Sequence, residues 1–163
     1  MDIYGAVVFV HATTILLFFI AHGASMAVAF RIKGETDPAR VRALLDLSRY
    51  AMGTPTIVVV GLGLLTGILA GFLGGHWDRL WIWISLVLFV AIAGAMTPLA
   101  SLRFQPIRTA AGMATSGPRP TPAGPEDADE MRRLIDAWNP VPIAVIGLVG
   151  FVVILWLMLV KPF

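Results

Sequence analysis

The sequence predicts an all-α fold: a bundle of four transmembrane helices carrying short amphipathic helices at its surface. Three observations predict it. Of the 163 residues, 58 % are apolar and only 13 % are charged, against about 25 % charged in soluble domains. Four stretches, about 4–30, 54–72, 80–102 and 140–160, contain no acidic or basic side chain and approach or exceed the roughly 20 residues needed to cross a bilayer. The charged residues gather between them. Residues 1–163 are read as one integral membrane domain without internal repeats.

The first span, Tyr4 to Phe30, carries His11 and His22, eleven residues apart. At about 100° per residue they return to within about 20° of one face, and at about 1.5 Å per residue they lie roughly 16 Å apart along the axis. Ionisable groups inside a membrane helix are costly and mark candidate sites. The N-terminal stretch lacks a basic region and a cleavage site, so it reads as a retained span rather than a signal peptide.

Arg31 and Lys33 close this span. Asp37 then stands as an N-cap before Pro38, a favoured first helical position. Val41, Leu44, Leu45 and Ser48 share one side of the segment that follows, which reads as an amphipathic surface helix. In the second span Gly63, Gly67 and Gly71 recur at every fourth residue. Such stripes let helix backbones approach closely, and Gly63 and Gly67 could equally form a flat wall for a planar cofactor. A hairpin at Gly74–Arg79 follows. Trp77, Trp81 and Trp83 form an interfacial belt, and His76 and Asp78 offer two polar groups for a metal. Pro98 falls near the inner end of the third span, just after Met96, and removes a backbone hydrogen bond there.

Residues 112–125 are dominated by proline, glycine and small polar side chains, and read as a flexible linker. Beyond it Glu126, Asp127, Asp129 and Glu130 suit the positive end of a helix. Met131, Leu134, Ile135 and Trp138 keep helical spacing, which predicts a second surface helix. The fourth span runs from Asn139-Pro140 to about Val160.

Lysine and arginine crowd the first and third connections, leaving only Arg79 and Lys161 on the other side. The positive-inside rule then puts both termini and the tryptophan hairpin outside. With no cysteine, disulfides and thiolate sites are excluded. Spans free of carboxylate, lysine and arginine argue against an ion-coupled transporter. There is no phosphate loop, no zinc-protease signature and no activated serine. A charge of +2 concentrated at membrane flanks is no nucleic-acid signal.

Three readings of His11 and His22 remain. They ligate haem b, which would carry electrons between the membrane faces and exchange them with quinone or a partner. They are neutral packing residues in a cofactor-free accessory subunit of a larger membrane complex. Or they bind copper with Met26 or Met96, since thioethers favour Cu(I). In the haem reading, Met96 lies at a depth comparable with His22 and is a candidate sixth ligand. A homodimer pairing each histidine with its mate is the other route to six-coordinate iron.

The segments HGASMAVAFR (His22 to Arg31), GGHWDRLWIW (Gly74 to Trp83) and WLMLVKPF (Trp156 to Phe163) resemble an uncharacterised family of bacterial four-helix membrane proteins. The resemblance implies a bacterial cytoplasmic-membrane protein and carries no function with it. The helical layout is also similar to copper-resistance-D-like and cytochrome b561-like bundles. It departs from the latter in placing its intramembrane histidines on one helix instead of several.

Overall fold

The computed structural model describes residues 2–52, 54–115 and 120–163, with the side chains of 49–55 left out. Two of the basic residues that crowd the first and third connections, Arg49 by its side chain and Arg119 entirely, therefore lie outside the described residues. Among the described residues six helices follow one another: α1 (Ile3–Lys33), α2 (Pro38–Met52), α3 (Thr54–Leu73), α4 (Leu80–Ala110), α5 (Ala128–Ala137) and α6 (Val141–Val160). Four of them, α1, α3, α4 and α6, are long and apolar enough to cross a membrane. At most 17 % of any span's apolar window is buried within the chain. Apolar side chains such as Leu65, Val87 and Leu159 point outward, which a bilayer solvates and water does not.

The helices associate in two pairs. The backbone of α1 runs close along α3, and that of α4 along α6. Glycine sets both approaches. Gly63 on α3 faces Ile15 and Thr14 of α1, and Gly150 on α6 faces Ile92 of α4. Between the pairs the backbones approach much less. Long side chains bridge that seam instead, with Phe19 of α1 stacked on Phe151 of α6 at 4.2 Å between ring centroids.

The pairs are joined at the basic end. Val28, Ala29 and Ile32 of α1, Val41 and Leu45 of α2, Phe104 and Ile107 of α4, and Met131 and Ile135 of α5 form one buried core. The apolar stripes of α2 and α5 thus cover protein as the helical spacing requires. Helix α4 outruns the expected boundary at Leu102, continuing to Ala110 through Pro98 and Pro106. Arg108 looked like a charged flank, yet it is buried and donates to the Leu45 carbonyl at 2.8 Å. That bond and the Asp46 carboxylate, 3.6 Å from the guanidinium, let a cation enter the core at a tolerable cost.

Lys33 locks the junction. Its Nζ donates to the carbonyls of Ile135, Asp136 and Trp138 at 3.3, 2.8 and 2.5 Å. The first two carbonyls belong to the last turn of α5 and the third to its cap. Such groups lack helical partners, and a cation at a helix C-terminus also meets its dipole favourably. The opposite end of α5 is capped by Asp127, which accepts from the Glu130 N–H at 2.9 Å.

The described flanks of the linker are tied together. Gly124 donates to the Gly112 carbonyl at 3.3 Å, and Asp127 to that of Ala110 at 2.8 Å. Gly112 has φ +72°, and a Cβ there would lie 2.9 Å from the Gly124 oxygen, so only glycine is comfortable. At the far end Trp83 donates to the Trp77 carbonyl at 3.0 Å, and Lys161 sits 5.7 Å from the Trp81 ring centroid.

Candidate functional site

The two intramembrane histidines meet different helices. His11 lies against α3. Its Nδ1 stands 2.9 Å from the Gly63 carbonyl oxygen. That oxygen can only accept, so Nδ1 is the donor of this bond. The ring fills the notch above Gly67, where a Cβ would come within 2.9 Å of the imidazole Cε1. Along the Gly63/Gly67 stripe, Gly67 thus meets the chain's own imidazole and Gly63 meets Ile15 and Thr14. Gly67→Ala is expected to displace the ring and lower the unfolding temperature in detergent, at an overpacking cost of about 1–3 kcal/mol. Gly61→Ala, two turns away on open helix surface with nothing within 4 Å, should be neutral or slightly stabilising.

His22 faces α6. Its Nε2 is buried and has no hydrogen-bond partner. A Cβ on Gly147 would lie 2.6 Å from that nitrogen and 3.2 Å from Cε of Met96. Imidazole of α1 and thioether of α4 therefore converge on one point of α6. Phe18, one turn earlier, stacks on the His22 ring at 6.0 Å. Beside this point lies a cavity of about 50 Å³, lined among others by His22, Ser25, Met26, Met96, Phe104 and Trp138. Met26 follows His22 by four residues and so shares its helix face. The side-chain donors around this void are one imidazole, two thioethers and the Ser25 hydroxyl.

Trp138 was expected only as an apolar member of a surface helix. It lines the cavity, packs edge-to-face on Phe104 at 5.0 Å, and its indole N–H is buried without a partner. Nothing in helical spacing signals an unpaired N–H.

The remaining candidates sit apart. His76 is at the tryptophan end, its Nε2 3.3 Å from the Tyr4 hydroxyl, while Asp78 pairs with Arg79 at 3.7 Å. Among the described residues no three histidine, aspartate or glutamate side chains gather as a metal site.

Four apolar spans, a basic end sealed by two amphipathic helices and an intramembrane imidazole at a helix seam define a polytopic helical membrane protein. The chain belongs to the DUF2269 family of predicted integral membrane proteins, whose model matches residues 6–162. No curated protein and no solved structure matches it.

Proposed function

We propose that this protein binds a soft monovalent metal ion, Cu(I), within the membrane, through His22 Nε2 and the thioethers of Met96 and Met26. One observation carries the reading: the buried His22 nitrogen has no partner, and the His22 ring lines a small void together with two methionines. A buried ring nitrogen left unpaired costs about 1–3 kcal/mol, and a ligated ion would recover it. The donor set selects the ion. Thioether and imidazole favour Cu(I), whereas Mg²⁺ and Ca²⁺ need six or more oxygen ligands, and the side chains lining this void offer one, the Ser25 hydroxyl.

Size favours an ion over a porphyrin. The void of about 50 Å³ is far below the roughly 300–1,000 Å³ of sites for large organic ligands. Haem b is the second reading, supported by the same pair, because imidazole and thioether are also axial ligands of haem iron. With its Nδ1 bonded to the Gly63 carbonyl, His11 would offer Nε2 as its ligand atom in that reading. In that reading the protein exchanges electrons with quinone or a partner subunit.

Anaerobic titration of the detergent-purified protein against a chromophoric Cu(I) chelator is expected to show one tightly held equivalent. Protein that releases all copper to a weak chelator would sink the proposal. A Soret band in protein from haem-replete cells, sharpening on dithionite, would put haem in its place. Colourless protein holding neither would leave the accessory-subunit reading.

The reading includes an orientation in the bacterial cytoplasmic membrane, with the basic end inside. The chain has no native cysteine, so single cysteines report cleanly. Asp78→Cys should react with an impermeant maleimide added outside cells, and Asp129→Cys should not. The reverse pattern would invert the topology.

A further inference from the structure

Trp138 poses a question that packing alone does not answer. It is 3 % exposed and wedged against Phe104, yet its N–H has no acceptor. Phenylalanine or leucine would serve an apolar contact without burying an unsatisfied donor, which costs free energy. What an indole adds is the strongest cation-binding face among the aromatic side chains. It borders the same void as His22, Met26 and Met96.

Resting on the Cu(I) reading of that void, we infer that Trp138 is its specificity residue, capping the ion by a cation–π contact from the basic end. The three donors supply too little charge to neutralise an ion: imidazole and thioethers are all neutral. A π face completes the shell without adding a ligand atom and keeps water out. A singly charged, weakly hydrated ion sheds its water for such a shell far more cheaply than a divalent one. The indole is held in place from behind, because Lys33 binds the Trp138 carbonyl at 2.5 Å and the preceding turn of α5.

The test compares wild-type protein, Trp138→Phe and Trp138→Leu, in detergent, titrated anaerobically with Cu(I) and separately with Ag(I). Binding is read by chelator competition, and the indole by tryptophan fluorescence and near-ultraviolet difference absorption. The wild type should lose part of its fluorescence with saturation at one equivalent. Trp138→Phe should still bind one equivalent but without the fluorescence and absorption change. Trp138→Leu should bind roughly 2- to 30-fold more weakly than wild type. Unchanged affinity in both variants, or quenching that persists in Trp138→Phe, would overturn the cap while leaving the Cu(I) site standing. Wild-type protein that binds neither ion overturns both. Matched circular dichroism of the three apo proteins excludes misfolding as the cause of a loss.

Discussion

His22→Leu is expected to abolish Cu(I) retention while leaving the apoprotein folded and at least as stable. The two halves of that result come from one fact. His22 Nε2 is a buried nitrogen that makes no hydrogen bond, so an apolar side chain of similar length removes an unpaired polar group and breaks nothing. The same nitrogen is the one donor of the set that binds both soft and borderline ions strongly. Met96→Leu and Met26→Leu preserve volume and should each weaken binding by at least about 10-fold, or about 1.4 kcal/mol. His11→Leu should do the opposite of His22→Leu. It should retain one equivalent of Cu(I) and lose stability, because it deletes the bond to Gly63. Chelator competition and thermal unfolding of the four variants would check both halves. A His22→Leu protein that binds copper as before, or a His11→Leu protein that does not, contradicts the assignment.

The largest stability effects should lie at the basic end. Leu45→Ala and Ile32→Ala each empty a fully enclosed site, since both residues are 0 % exposed. Core truncations of this kind cost about 2–5 kcal/mol. The same truncation at Leu65, 67 % exposed on α3, replaces one lipid-facing apolar group by a smaller one and should cost far less. Unfolding in detergent followed by circular dichroism should separate the two classes clearly. Equal losses at Leu45 and Leu65 would show that the core at the basic end does not hold the bundle together. The reason for expecting it lies in the packing. The seam between the helix pairs is bridged by side chains, whereas α2 and α5 touch both pairs.

The four spans were legible because a bilayer imposes a length and forbids unpaired charge, both countable in the sequence. The stripes Val41/Leu45/Ser48 and Met131/Ile135/Trp138 were legible because helical spacing defines a face. The true end of α4 was not. The arginines after Leu102 read as a flank, and partners on another helix, the Leu45 carbonyl and the Asp46 carboxylate, explain why Arg108 enters the core. The site shows the same division. Spacing placed His11 and His22 at nearly the same azimuth of α1 but could not name their neighbours, which are α3 for one and α6 for the other. The nearness of Met96 to His22 could be judged from depth along two spans. The void, the point of convergence over Gly147 and the indole that lines it depend on how three helices rotate against one another, which no local pattern records.

The Lys33 junction also sets a timetable for biosynthesis. Lys33 ends the first helix, but the carbonyl it grips on Trp138 is 105 residues later. At a synthesis rate of about 5–20 residues per second, the first span waits roughly 5–20 s for its partner. Ile32, Val41 and Leu45 lack the cover of α4 for the first part of that interval and that of α5 for all of it. A nascent chain stopped before α5 should therefore be far more sensitive to a membrane-bound protease at residues 38–46 than one released after Trp138.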